Sequence, residues 1–236
     1  MPPELRDIIF LDIETVGAAE SFSLLDERMK VLWARKSAFF KRDEGQTSED
    51  LFAQRAGIYA EFGKVIVISI GKYVDTPSGE IGLKTRCFYS EDEREVLTNF
   101  RLMLEKQDPV TTKLCAHNGK EFDFPYLCRR MLINDMLPPA ILNQTNRKPW
   151  DVTHIDTMDM WKFGDFKSYT SLDLLAALFN IETSKGAMDG SMVNDVFYKD
   201  KDLKKIAEYC VGDVVALGQL YLRLKGFPLM NKSNIA

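Results

Sequence analysis

The chain predicts one α/β domain, a mixed five-stranded sheet flanked by helices on both faces. Three observations carry this expectation. Short β-branched or aliphatic runs recur at residues 7–12, 64–71, 83–89, 113–116 and 154–156, and helical periodicity fills the intervals between the later runs. The resulting order is β-β-β-α-β-α-β-α, in which the first three strands can pair as an antiparallel meander and the last two join in parallel through helical crossovers. At 236 residues and 45% hydrophobic content the chain can bury a sizeable core, so residues 1–236 are read as a single domain.

Residues 7–12 form an apolar run ending in acid, expected as a central strand that delivers Asp12 and Glu14 at its carboxyl end. Residues 21–40 change to helical spacing, with Leu24, Leu25, Met29, Leu32 and Trp33 as the apolar face. The polar stretch 41–50 is a loop, and a second helix is expected over about residues 48–60 with Thr47 or Ser48 as its cap. Residues 20–60 therefore read as a helical insertion after the first strand.

Residues 64–71 are continuous and β-branched, as in a strand covered on both faces, and Thr76, Pro77, Ser78 and Gly79 supply a turn before the strand at 83–89. Ser90, Glu91, Asp92 and Glu93 open a helix with a cap and acids suited to the positive end of its dipole; Val96, Leu97, Phe100, Met103 and Leu104 form its buried stripe. A short strand at 113–116 precedes a helix near 124–133, an excursion through Pro138, Pro139 and Pro149, and a strand near 154–156. The last helix carries Leu203, Ile206, Ala207, Cys210, Val214, Leu217, Tyr221 and Leu224 at spacings of three and four.

Composition narrows the partners. Lys plus Arg number 31 against 35 acidic residues, a formal charge of -4 that argues against avid nonspecific binding to duplex nucleic acid but leaves room for a local basic groove. Cys87, Cys115, Cys128 and Cys210 contain no Cys-x-x-Cys pair and sit among apolar neighbours, so they are expected as buried, reduced thiols, with no zinc site or disulfide framework. No signal-peptide pattern opens the chain and no apolar run reaches membrane-spanning length, which leads to the expectation of a soluble, cytoplasmic protein.

The chemistry is concentrated in three separated clusters of residues. Asp12 and Glu14 lie two apart, so on an extended backbone both side chains leave the same face and can converge on one ion. Alone, Asp-x-Glu also reads as a solvated strand-to-loop junction. Asp123 precedes Pro125, a residue suited to a first helical turn, and so is equally placed to cap that helix or to face a metal-bound water. Tyr209 and Asp213 are four apart beside the stripe of the last helix and share one of its faces; alone, they also read as a boundary tyrosine and an exposed acid. Together the four carboxylates form a cage for hard divalent cations, which take oxygen ligands and, with a substrate phosphate, point to phosphodiester cleavage.

These residues resemble the DEDD exonuclease superfamily: Asp12-Ile-Glu14-Thr15, Asn118-x-x-x-Phe122-Asp123, and Tyr209 four residues before Asp213. The tyrosine marks the DEDDy branch, since the histidine branch would carry His where Glu208 stands. Lys148-Pro-Trp150-Asp151, His154-Ile-Asp156-Thr-Met, Ser171-Leu-Asp-Leu-Leu and Asp189-Gly-Ser191 are similar to predicted 3′-5′ exonucleases related to the proofreading domain of family B DNA polymerases. The resemblance covers most of the chain and is looser over residues 21–60. It implies a ribonuclease H-like fold and a freestanding metal-dependent 3′-5′ exonuclease, in which Asp12, Glu14 and Asp213 hold one Mg²⁺ or Mn²⁺ while Asp12, with Asp123 through water, serves a second. Two ions about 4 Å apart suit attack on a phosphate and departure of its 3′ oxygen. Tyr209, with a reference pKa near 10, is expected to orient the attacking water rather than to deprotonate it. Thr15, Asn118 and Phe122 carry over as contacts to the terminal nucleotide.

The implied substrate is a single-stranded or frayed 3′ end, DNA before RNA, and the implied products are 5′-mononucleotides; a 3′-5′ exoribonuclease is the alternative. Trp161, Phe163, Phe166 and Tyr169 interleave with Lys162 and Lys167, a composition that fits stacking of unpaired bases as well as an ordinary packed or surface segment, and Lys185 could meet phosphate. His117 and His154 flank expected strand ends without a second histidine at ligand spacing. Two other classes compete. Phe10-Leu-Asp12-Ile-Glu14-Thr-Val superficially resembles the strand end of haloacid dehalogenase-like phosphatases, with Asp12 as covalent nucleophile, but leaves Asp123 and Tyr209 without roles. A noncatalytic nucleic-acid-binding module would bind oligonucleotides without shortening them.

Overall fold

The computed structural model describes residues 1–165, 167, 169–183 and 188–236, the side chain of Pro149 excepted. Strands β1 (Ile8–Gly17), β2 (Gly63–Asp75), β3 (Ile81–Tyr89), β4 (Lys113–Ala116) and β5 (Ile155–Asp156) form one sheet in the order β3-β2-β1-β4-β5. β1–β2 and β2–β3 are antiparallel, whereas β1–β4 and β4–β5 are parallel, as the meander and the two crossovers require. The helices are α1 (Pro3–Arg6), α2 (Glu27–Ser37), α3 (Ser48–Arg55), α4 (Glu93–Leu104), α5 (Asp123–Ile133), α6 (Thr157–Lys162), α7 (Leu172–Leu178), α8 (Val193–Asp195) and α9 (Leu203–Leu224). Among the described residues no helix is long and apolar enough to cross a membrane.

Alternation along β1 sorts the two layers. Ile9, Leu11 and Ile13 pack with Val96, Leu97 and Phe100 of α4 and Leu127 and Met131 of α5, while Ile8 and Phe10 pack with Val214, Leu217 and Tyr221 of α9. α9 approaches the sheet closely at Gly71, where a Cβ would lie 2.8 Å from Cγ1 of Val214. Buried in the first layer, Glu93 accepts from Arg130 Nε (2.8 Å), Val65 N (2.7 Å) and Asn134 Nδ2 (2.8 Å), and Arg130 also donates to the Ala60 carbonyl at 2.8 Å. This network joins α4, α5, β2 and the end of the insertion.

Several local expectations change. β1 does not stop at Asp12 but runs to Gly17, because β2 continues to pair with it beyond the acids, with a register shift between Glu14 and Thr15. In the insertion, α2 begins only at Glu27, capped by Asp26, whose Oδ1 accepts from Met29 N at 2.9 Å. Leu24 lies outside that helix and is 67% exposed, and Leu32 also faces outward. The insertion buries one narrow stripe centred on Trp33, which meets the rings of Phe40, Phe52, Tyr59 and Phe62 edge-on and donates from Nε1 to the Ser48 carbonyl at 2.7 Å. α3 starts with a Thr47–Asp50 capping box and ends at Arg55, passing into a 3₁₀ turn over Ala56–Ile58. Asp92, not Ser90, caps α4. The four cysteines are free, Cys115 and Cys210 buried, Cys87 and Cys128 partly so.

Candidate active site

β4 pairs with β1 only from Ile8 to Phe10, so from Leu11 onward that side of β1 is open to the chain end of another element. The N-terminus of α5 fills the opening. It is entered through Asn118, whose positive φ of 64° turns the chain so that its carbonyl accepts from Glu121 N and Phe122 N. Phe122 occupies the cap position and its side chain makes no capping bond, so Asp123 is the first helical residue rather than the cap. Asp123 instead sets its carboxylate against its own N–H and the N–H of Ile13.

From the other layer, α9 presents Tyr209, Cys210 and Asp213 to the even-numbered face of β1, where Asp12 and Glu14 emerge. One ligand atom each from Asp12, Glu14 and Cys210 lie within 4.8 Å of one another. The Cys210 thiol donates to Asp12 Oδ2 at 3.3 Å and reaches the Asp12 carbonyl at 3.4 Å. Glu14, Asp123, Tyr209 and Asp213 are all buried. The acids expected from three separated motifs therefore meet, and the boundary-residue reading of Tyr209 and Asp213 is replaced by burial.

The electrostatics follow from that convergence. Burial, and then the charges of Glu14, Asp123 and Asp213, hold the Asp12 carboxyl well above the usual range, with the Cys210 thiol acting in the opposite sense. Asp123 is pushed up to about 7, chiefly by burial, against the pull of its own N–H; Asp156 raises it further and the Ile13 N–H lowers it. Burial, followed by the Asp213, Glu14 and Asp12 charges, raises the Tyr209 phenol, whose hydroxyl bonds to Asp213. Carboxylates packed in this way repel one another when ionised, and oxygen-seeking divalent cations are the chemistry that relieves the repulsion. Asp12, Glu14, Asp123 and Asp213 have the donor set to hold such ions.

Residues outside the carboxylate set shape the site. Asp156 accepts from Asn118 N at 2.9 Å, Lys120 N at 3.1 Å and Met158 N at 2.9 Å, pinning the turn that leads into Asp123. His117 bridges Thr157 Oγ1 (2.9 Å) and the Thr170 carbonyl (2.7 Å), a structural use. Among the described residues Asn118 Oδ1 is buried without a hydrogen-bond partner. Thr15 Oγ1 donates to the Gly57 carbonyl at 2.8 Å, and Phe122 packs on Tyr126 with centroids 5.3 Å apart. Sequence reasoning overlooked Cys210 and Asp156. The first was submerged in an apolar stripe, and the second carried only its place in the His154-Ile-Asp156-Thr-Met wording.

The aromatic segment divides. Trp161 packs edge-on against Phe179, whereas Phe163 and Tyr169 are exposed; Phe166, like Lys185, lies outside the described residues. His154 is buried 4.6 Å from the Phe124 ring, and burial with Arg147 and Lys120 nearby lowers it to about 4. It borders a cavity of about 620 Å³ beside α5, lined also by Lys120, Phe124, Cys128 and Gln144; none of the four carboxylates lines it.

Comparison with known proteins fits this geometry. The chain matches the family described as predicted 3′-5′ exonuclease related to the exonuclease domain of PolB over residues 58–230, a span that holds Asp123, Tyr209 and Asp213 and begins after Asp12 and Glu14. Among solved structures it is similar to the family B DNA polymerase of the hyperthermophilic archaeon Pyrobaculum calidifontis, with a TM-score of 0.59 and 16% identity over 95% of this chain and 25% of the polymerase. The likeness shows the fold, a ribonuclease H-like mixed sheet, and the chain spans about a quarter of the polymerase's length. No match is found among curated proteins. The antiparallel β1–β2 pair and the assembly of Asp12 with three further acids leave the phosphatase reading without a basis. By its match over most of its length, the chain belongs to the predicted 3′-5′ exonucleases related to the exonuclease domain of PolB.

Proposed function

We propose that this protein is a metal-dependent 3′-5′ exonuclease that releases 5′-mononucleotides from single-stranded or frayed DNA by a two-metal-ion mechanism. One observation carries the reading: Asp12, half-buried on β1, shares a 4.8 Å cluster of ligand atoms with Glu14 of its own strand and lies close enough to Asp123 of α5 and Asp213 of α9 to feel their charges. Four such acids have no structural use for one another and gain one when they share cations. Asp12, Glu14 and Asp213 would hold one ion, and Asp12 with Asp123 the second. Mg²⁺ or Mn²⁺ bound there would activate the attacking water and stabilise the leaving 3′ oxygen.

The chain's own groups do the rest. Tyr209, protonated at neutral pH because its phenol is raised, fixes a water by hydrogen bonding while its hydroxyl is held at Asp213. Asn118 supplies a buried acceptor for the terminal nucleotide, and Phe122 flanks the same turn. DNA is favoured over RNA because the similar solved structure is a DNA polymerase.

A ladder assay tests the whole reading. A 5′-labelled oligonucleotide, as DNA and as RNA, blunt and recessed, with Mn²⁺ and without, should shorten one nucleotide at a time from its 3′ end, with DNA faster. An unchanged label length with Mn²⁺ present, together with binding that survives Asp12→Ala, would identify a noncatalytic binding module instead.

A further inference from the structure

The insertion carries a charge pattern that its own packing does not require. Residues 28–42 contain Arg28, Lys30, Arg35, Lys36, Lys41 and Arg42 and no acid, in a chain of formal charge -4. The insertion's acids are segregated: Glu20 opens it, Asp26 and Glu27 sit at the start of α2, Asp43 and Glu44 follow in the loop, and Glu49 and Asp50 belong to the first turn of α3. Lys30 is paired with Glu27, and Lys36 lies 4.3 Å over the Tyr59 ring. Arg42 donates to the Ser37 carbonyl at 3.0 Å and so serves the end of α2, whereas Arg28, Arg35 and Lys41 are exposed.

The exposed face is also apolar in a regular way. Arg28, Leu32 and Arg35 follow one another at spacings of four and three on α2, so they form one outward stripe with Val31 beside it, and Phe39 lies in the turn just past the helix end. Phe39 is 90% exposed. A helix that only needed solubility would present mixed charge, and one that only needed a core would bury its aromatics. Cations beside exposed aliphatics and the exposed Phe39 ring match a surface that tracks phosphates and stacks an unpaired base.

The base of the insertion that carries this surface is anchored beside the site. The Gly57 carbonyl, at the end of the insertion, receives the Thr15 hydroxyl and the Tyr126 hydroxyl, each at 2.8 Å. Thr15 follows Glu14 directly, and Tyr126 lies one turn beyond Asp123 on α5. Ala18 N donates to the Phe62 carbonyl at 2.8 Å, closing the insertion's base.

We infer that the outward face of α2 and its Phe39–Arg42 extension bind the single-stranded nucleic acid that lies 5′ of the terminal nucleotide. The inference rests on the nuclease reading for what enters the site, and it assigns the insertion to holding the strand rather than to chemistry. Its readout is therefore binding without turnover.

Fluorescence anisotropy with Ca²⁺ replacing Mg²⁺ tests it, using 5′-fluorescein oligothymidine and oligouridine of about 20 nucleotides, the matching duplex, and a labelled trinucleotide. The paired substitution Arg28→Gln with Arg35→Gln should weaken the long single strands roughly tenfold and flatten the plot of log affinity against log salt by about 1.4, as for two lost phosphate contacts. Phe39→Ser should cost at least about fivefold on single strands and less on duplex. Arg28→Lys with Arg35→Lys should retain the salt slope, and the trinucleotide should bind all variants alike. Equal loss with DNA and RNA makes the surface sugar-blind; loss with one alone makes it a source of sugar choice. Unchanged long-strand affinity and slope in variants with unchanged melting temperature would overturn the inference, as would binding of α2 to anionic vesicles with oligonucleotide affinity intact. A protein that binds as expected but leaves oligonucleotides uncut sinks the nuclease reading alone, and one that cuts but ignores the α2 variants sinks this inference alone.

Discussion

The Cys210 thiol sits 3.3 Å from Oδ2 of Asp12, so a neutral group on α9 holds the carboxylate that β1 offers to the other acids. Its second contact, 3.4 Å to the Asp12 carbonyl, ties the same sulfur to the strand itself. Without it Asp12 loses a donor that favours its ionised form. Cys210→Ser, which retains a donor of similar size, should leave the half-saturating Mn²⁺ concentration nearly unchanged, whereas Cys210→Ala should raise it about three- to tenfold, the worth of one hydrogen bond. Metal titrations of nuclease activity would decide; equal values for both variants would reduce Cys210 to core packing.

Metal-free stability should fall as pH rises, against the common trend. Asp12 and Asp123 have carboxyls raised in the folded protein, Asp123 to about 7, against an unfolded value near 3.9. Between those values the native state binds more protons than the unfolded one, so stability is fully present below about pH 4 and is lost as pH rises through about 7. His154, lowered to about 4, acts in the opposite direction below its unfolded pKa near 6.5, so the comparison is made with Asp123→Asn. In EDTA, wild type should lose of order 2–3 kcal/mol relative to Asp123→Asn between pH 5 and pH 8, and Mn²⁺ should restore more at pH 8 than at pH 5. Parallel melting curves for the two proteins across that range would contradict the electrostatic account.

Much of this site was legible because its geometry is local. Asp12 and Glu14 share a face by the period of a strand, and Tyr209 and Asp213 share one by the turn of a helix. The length of β1 was not legible, since the pairing that carries it to Gly17 belongs to β2, some fifty residues later. Leu24 and Leu32 fit the helical spacing as well as Leu25 and Met29 do, and only the position of Phe52, Phe62 and Trp33 determines which of them finds partners. Cys210 and Asp156 were overlooked for the same reason: each acts on a group far away in sequence, Asp12 or the turn at Asn118.

Glu93 illustrates a role that position alone concealed. An acid in the first turn of α4 reads as a dipole partner worth a few tenths of a kcal/mol. In the fold it is buried, with Arg130 Nε at 2.8 Å, Val65 N at 2.7 Å and Asn134 Nδ2 at 2.8 Å. Glu93→Ala strands a buried guanidinium and should destabilise the protein by roughly 3–5 kcal/mol, while Glu93→Ala combined with Arg130→Met should recover much of that loss. Chemical denaturation of the single and double variants measures it; a loss under about 1 kcal/mol in the single variant would place the pair in solvent.

Tyr209 separates chemistry from ion binding. Its phenol is raised by burial first and then by the Asp213, Glu14 and Asp12 charges, so at neutral pH it is a donor with no capacity to take a proton from water. Removing the hydroxyl deletes a hydrogen bond to Asp213 and a guide for the water while sparing every carboxylate. Tyr209→Phe should therefore lower kcat by roughly ten- to a hundredfold with little change in the Mn²⁺ requirement, and Asp12→Ala or Asp213→Ala should lose roughly a thousandfold or more together with that requirement. A tyrosine acting as base would also add an ionisation limb to the pH–rate profile that the phenylalanine variant lacks. An orienting tyrosine adds none, so wild type and Tyr209→Phe should give profiles of the same shape at different heights. A limb lost with the hydroxyl would return the role of base to Tyr209, and full activity in Asp213→Ala would remove that carboxylate from the ion site.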